Sequence, residues 1–69
     1  MPDTAQIERN LGLAKSSALS ITTLVDAAKV ALNNERPDDA ARYAQYIIDV
    51  ANSLRSDAED ALRLLGVGQ

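Results

Sequence analysis

Residues 33–39 read Asn33-Asn34-Glu35-Arg36-Pro37-Asp38-Asp39. Asparagine, proline and aspartate cluster here and nowhere else in the chain. Each of these residue types ends a helix, forms a turn or caps a helix N-terminus. The stretch therefore separates two helices and is itself a turn. Helix 1 is expected over about residues 4–33, the turn over 34–37 and helix 2 over about 38–65, with residues 1–69 forming one domain. Asp38 is expected to cap helix 2, with Asp39 in the first turn near the positive end of the helix dipole. Asp3 followed by Gln6 is a variant of the capping box that opens helix 1. At the far end Gly66 supplies a left-handed closing residue, with Val67 expected to fold back onto Leu62. Each helix would be about 45 Å long. So short a connection predicts an all-α, two-helix antiparallel hairpin, coiled-coil-like in its packing.

Outward from the turn, the apolar residues repeat at heptad spacing. In helix 1, Ile7, Leu11, Ala14, Ala18, Ile21, Val25, Ala28 and Leu32 recur at alternating steps of four and three, the seam of a left-handed coiled coil. In helix 2, Ala40, Tyr43, Ile47, Val50 and Leu54 follow the same rule, then slip by one residue to Ala58, Ala61 and Leu65. Folding at the turn opposes Val25 with Ile47, Ala18 with Leu54, Ala14 with Ala58, Leu11 with Ala61 and Ile7 with Leu65.

One seam does not use up the apolar surface. Residues 16–25 carry no charge, although 25% of the chain is charged. A helix exposed on one side normally places charge on its outer face every turn or so. Helix 2 carries a second stripe, Ala44, Ile48, Ala51 and Leu62, and helix 1 has Leu13, Leu19, Leu24, Ala27 and Val30 outside its seam. Two hairpins packed together would bury both sets, so the hairpin is expected to dimerise into a four-helix bundle. The expected homodimer interface is Leu13, Ser17, Ser20, Leu24, Ala27, Ala44, Ile48, Ala51 and Leu62. Burial of this second stripe contributes on the order of 10 kcal/mol before entropy, comparable to the whole stability of a small domain. Ser16, Ser17, Ser20, Thr22 and Thr23 are read as close-packing residues at the dimer centre whose hydroxyls bond back to helix carbonyls, in preference to a binding surface for a polar ligand.

Composition narrows the function. The chain has no cysteine and no histidine, so disulfides, the usual zinc ligands and the common nucleophile–base pairs are excluded. Ten acidic and seven basic residues give a net charge of −3. The arginines are scattered, with none of the basic stripe that direct nucleic-acid binding requires. No apolar stretch approaches the roughly 20 residues that cross a bilayer. The N-terminus lacks a signal-peptide pattern, so a cytoplasmic protein is expected. Asp57, Glu59 and Asp60 form an acidic patch that reads as a solvated helix face, not a metal site. No catalytic residue, cofactor or metal is expected.

The remaining candidate is a surface for another protein. Tyr43 and Tyr46 are the only aromatic residues. Tyr43 lies on the seam. Tyr46 lies at the border of the apolar arc, one turn from Arg42 and close to Asp49, and tyrosine beside arginine at a rim is the composition of a binding hot spot. The expected partner-binding set is Arg36, Asp39, Arg42, Tyr46, Asp49 and Asn52. The alternatives are a structural bundle subunit or assembly adaptor that binds only itself and a protein that sequesters a small ligand between subunits near Arg42 and Tyr46.

The segments Leu24-Val25-Asp26-Ala27-Ala28-Lys29-Val30-Ala31-Leu32 and Ala41-Arg42-Tyr43-Ala44-Gln45-Tyr46-Ile47-Ile48-Asp49-Val50-Ala51-Asn52-Ser53-Leu54 resemble small helical-hairpin proteins of Pseudomonas and its phages, among them a phage quorum-sensing anti-activator. The resemblance covers most of the chain and is one of size, helix layout and Ala-rich texture. It implies a dimer that binds and inhibits a host protein such as a transcriptional activator, and it carries over no binding residue. Pro37 to Ile48 also resembles the second helix of a tetratricopeptide unit, but the chain has no 34-residue recurrence.

Overall fold

The computed structural model describes residues 3–66. These form α1 (Thr4–Asn33) and α2 (Pro37–Leu64), with no strand among the described residues. A pair of helices of 30 and 28 residues would span about 90 Å end to end. The molecule measures 53 × 19 × 11 Å, so the helices lie side by side and antiparallel.

Local chemistry explains the ends. The Asp3 carboxylate accepts a hydrogen bond from the Gln6 backbone N–H at 3.2 Å and caps α1. The reciprocal half of a capping box is absent, because the Gln6 amide instead donates to Asn10 Oδ1 at 3.2 Å. At the turn, the Arg36 N–H donates to the Ala31 carbonyl at 2.8 Å and the Glu35 N–H to the Leu32 carbonyl at 3.1 Å. This nested pair is a Schellman closure. Glu35 occupies its left-handed position at φ 58°, where glycine is the usual residue.

Pro37, assigned above to the turn, is the first residue of α2. Its missing N–H is one that the first helical turn leaves without a partner in any case. The cap position therefore falls to Arg36, whose side chain caps nothing, and Asp38 is not the cap but a first-turn acid beside Asp39. The α-helix ends at Leu64 and Gly66 follows at φ 78°. Val67 and its contact with Leu62 lie outside the described residues.

In α2 the inward row is Ala40, Tyr43, Ile47, Val50, Leu54, Asp57, Ala58 and Ala61. The slip expected near Ala58 appears as two adjacent residues turned inward. Leu65 is not inward but half exposed. In α1 the inward row is Ile7, Asn10, Ala14, Ser17, Ile21, Leu24, Ala28 and Ala31. Ile7, Ala14, Ile21 and Ala28 were expected there. The other half of the predicted seam is displaced by one residue. Leu11, Ala18, Val25 and Leu32 are exposed, at 51% for Leu11 and 60% for Leu32, and the opposed pairs that used Leu11, Ala18 and Val25 do not form the seam.

The charges of α1 give a physical reason. Glu8, Arg9, Lys15, Asp26 and Lys29 all lie on the side opposite the observed row. The predicted row would have set Glu8, Lys15 and Lys29 against the flank of α2, at a cost in solvation. Counting outward from the turn places Leu24 at the level of Ile47, Ile21 of Val50, Ser17 of Leu54 and Asn10 of Ala61. Leu24 with Ile47 and Ile21 with Val50 set large residues level with large ones, while Ser17 with Leu54 sets a small residue level with a larger one.

The core is thin. Only Ile7, Ala31, Ala61 and the hydrogen-bonded Asn10 are buried among the described residues. The accessible surface is 5140 Å2, against about 4,200 Å2 for a compact protein of 7.4 kDa. The radius of gyration is 15.6 Å, where a globule of this length has about 11 Å.

Two substitutions test this geometry. Glu35→Gly removes the left-handed penalty and is expected to stabilise by about 1 kcal/mol, read as a rise of several degrees in Tm. Ala61, only 2% exposed, has no room to grow, so Ala61→Leu should cost about 1–3 kcal/mol by denaturant titration.

Candidate functional site

A rod of two antiparallel helices has two broad faces, one on each side of its seam. Both helices are right-handed, but they run in opposite directions and face each other. Flanking rows that follow the inward row in the same sense therefore fall on the same face of the rod. One face joins Leu11, Ala18, Val25 and Leu32 of α1 to Ala44, Ile48, Ala51, Ala58, Leu62 and Leu65 of α2. The other joins Leu13, Ser20, Ala27 and Val30 to Asp39, Arg42, Tyr46, Asp49, Ser53, Asp60 and Arg63. A groove of about 220 Å3 at the turn end of this second face is lined by Ala27, Val30 and Ala31 from α1 and Arg36, Asp39 and Tyr43 from α2. Its lining displays the pairing of rows directly.

The first face is apolar. Leu11, Leu32, Ile48, Leu62 and Leu65 are each about half exposed on it, and Val25 somewhat less. The second face is polar on its α2 side, which holds most of the expected partner-binding set, while α1 adds Leu13 and Val30, each about half exposed. Asp39 sits between two arginines, with Arg36 Nη1 at 3.7 Å and Arg42 Nη2 at 3.8 Å. Tyr46 is exposed, and its ring packs edge-on against Tyr43 with centroids 6.4 Å apart and planes at 72°. Tyr43 is itself half-buried in the seam. Asp49 accepts a hydrogen bond from the Gln45 amide at 3.3 Å. The structure thus gathers Arg36, Asp39, Arg42, Tyr46 and Asp49 along one edge. Asn52 lies further round, on the outer back of α2, and is exposed.

The residues expected at the dimer interface do not share a face. Ala44, Ile48, Ala51 and Leu62 are on the apolar face, while Leu13, Ser20 and Ala27 are on the polar one. Ser17 and Leu24 are turned toward α2 inside the hairpin. The α1 members precede their seam and the α2 members follow theirs. In an antiparallel hairpin the two sets therefore fall on opposite faces whichever of the two α1 rows is inside. The one-residue rotation of α1 has a further effect. It carries Ser17 and Leu24 into the seam and leaves Ala18 and Val25 beside the apolar stripe of α2.

The acidic patch is divided among other partners. Glu59 binds Arg55 at 2.8 Å and Asp60 binds Arg63, while Asp57 turns toward α1. Among the described residues no three acidic side chains converge to hold a metal ion. In the chargeless belt, the Thr22 hydroxyl donates to the Ala18 carbonyl at 3.2 Å and the Thr23 hydroxyl to the Leu19 carbonyl at 3.3 Å. These bonds satisfy the two threonine hydroxyls within α1; Ser16, Ser17 and Ser20, expected to bond back in the same way, make no such bond among the described residues.

The α1 side of the groove and the Tyr43–Tyr46 stack were not read from the sequence. The stack has a local signal, because tyrosines three residues apart on a helix are neighbours. The contribution of Ala27 and Val30 has none without the rotation of α1.

No protein-family model, no curated protein and no solved structure matches the chain. Among the described residues no helix is long and apolar enough to cross a membrane.

The two ion pairs of Asp39 are partly exposed and salt-screened, and the carboxylate also lies in the favourable first turn of α2. Asp39→Asn is expected to lower stability by about 0.5–1 kcal/mol at low salt. A denaturant titration repeated in 1 M salt should show most of that difference gone.

Proposed function

We propose that this chain is a non-catalytic interaction protein that works as a homodimeric four-helix bundle and occludes a surface of a larger regulatory protein. The observation that carries the reading is the division of the rod into an apolar face and a polar face with a supported tyrosine. The apolar face exceeds what two helices can cover, and the dimer would cover it. The polar face would remain outward on each side of the bundle. Tyr46 there is braced by Tyr43, so little side-chain entropy is lost when a partner covers it. Arg42 stands one turn away, giving the Tyr–Arg pairing common at binding hot spots.

Charge adds a preference. Six acids and three arginines on α2, Asp38, Asp39, Asp49, Asp57, Glu59 and Asp60 against Arg42, Arg55 and Arg63, sum to −3. The corresponding sum on α1 is +1, from Arg9, Lys15 and Lys29 against Glu8 and Asp26. An acidic helix carrying Tyr46 favours a basic partner surface, such as the DNA-reading region of a transcriptional activator. The resemblance to phage anti-activators points to the same class of target. The groove at the turn is smaller than the roughly 300–1,000 Å3 of typical small-molecule sites and is lined by neither Arg42 nor Tyr46, so a single hairpin offers no ready ligand pocket there.

The test is affinity capture from a bacterial lysate with the native chain and with Tyr46→Ala. The native chain should retain one protein in stoichiometric amount. Tyr46→Ala should keep its helical circular dichroism and lose that protein, with affinity falling at least tenfold for a hot-spot residue. Equal retention by both forms would rule out this surface.

A further inference from the structure

We infer that two copies of the chain pair through the Leu11, Val25, Ile48 and Leu62 face with their turns at opposite ends, so that α1 lies on α1 of the second copy. This rests on the homodimeric part of the function proposed above and adds the face and the orientation. The area is sufficient. The rod's 53 × 19 Å outline gives a footprint of about 1,000 Å2, against the ~800 Å2 per partner of a stable interface. The polar face offers the same outline, but pairing through it would bury Asp39, Asp49 and Asp60 and leave the apolar row in water. On the apolar face the α2 row nearest a second copy includes the exposed Ala44 and Ala51, small enough for close approach, with Ile48 and Leu62 beside it.

Charge at the rim chooses the orientation. The outer edge of this face carries Glu8, Lys15 and Lys29 on α1 and Arg55 on α2. With the turns at the same end, each α1 would lie on α2 of the second copy, and Lys15 would come level with Arg55 twice over. With the turns at opposite ends, the twofold axis passes near Ala18. Leu11 then meets Val25 of the second copy, and Glu8 comes level with its Lys29, again twice. Arg55 is held by Glu59 of its own helix, which weakens its repulsion of a neighbouring cation in either orientation, so the two Glu8–Lys29 attractions decide between them.

The chain has no cysteine, so single cysteines report the arrangement. Ala18→Cys, placed on the axis and pointing at the second copy, should form an intermolecular disulfide under mild oxidation. Ser20→Cys, at the same level on the polar face, should not. Glu8→Lys and Lys29→Glu should each raise the dimer Kd about fivefold, and the double swap should return it to within about twofold of native. Sedimentation of the native chain as a monomer at micromolar concentration would overturn both the dimer and this face. A native dimer in which Ser20→Cys cross-links, or in which Ala18→Cys does not, would overturn only the face and orientation.

Discussion

Two helices can make only one seam, and every other property of this molecule follows from that limit. A helix in the middle of a globule is covered on several sides. Each helix here has one neighbour and so one covered strip, and the rest of its circumference meets solvent. Three apolar residues and one asparagine are all that the described chain buries. Burial stabilises in proportion to apolar area, and the conformational entropy of ordering two long helices opposes it residue by residue. The thin seam explains why the surface is larger than a compact chain of this mass needs, and why so many leucines and isoleucines remain half exposed.

Within the seam, α2 is the strict partner and α1 the permissive one. α2 has one well-defined apolar flank, with most of its acids and arginines on the back and the other flank; Asp57, turned toward α1, and Arg55, at the edge of the apolar face, are the exceptions. α1 carries leucine, valine, alanine and small hydroxyl residues around most of its circumference. Rotating α1 by one residue would exchange Asn10, Ser17, Leu24 and Ala31 for Leu11, Ala18, Val25 and Leu32. The second set is the more apolar. The first is nevertheless inside, because its choice turns all the charges of α1 outward and offers small side chains to Leu54 and Ala61. Asn10 enters at 7% exposure with a hydrogen bond from Gln6, and a satisfied buried amide in a heptad seam helps to define register.

The same rotation organises the surface. It sets Ala18 and Val25 beside Ala44, Ile48 and Ala51, completing an apolar face from two half-stripes. It also brings Ala27 and Val30 across from Asp39 and Tyr43, closing one end of the polar face into a groove. Tyr46 gains a fixed position because Tyr43 is held in the seam. The proposed partner surface is therefore organised by the hairpin even though all its charged residues come from α2 or the turn.

How much was legible follows from this asymmetry. The turn at Asn33–Asp39, the Asp3 cap, the inward row of α2 apart from Asp57 and Leu65, and the neighbourhood of Arg42, Tyr46 and Asp49 could be read from residue order, because each depends on interactions within a few residues or one helical turn. The left-handed Glu35 was hidden, since glutamate gives no warning of a positive φ. The rotation of α1 was hidden as well. Its chargeless belt offers several apolar strips of similar burial energy, and the few charges that mark its back lie outside that belt. The amino-acid order alone thus determined two helices, the place where the chain reverses and the face that α2 presents. Only the packed structure decided which side of α1 meets α2, because that choice depends on fitting one helix surface to another and on where distant charges end up.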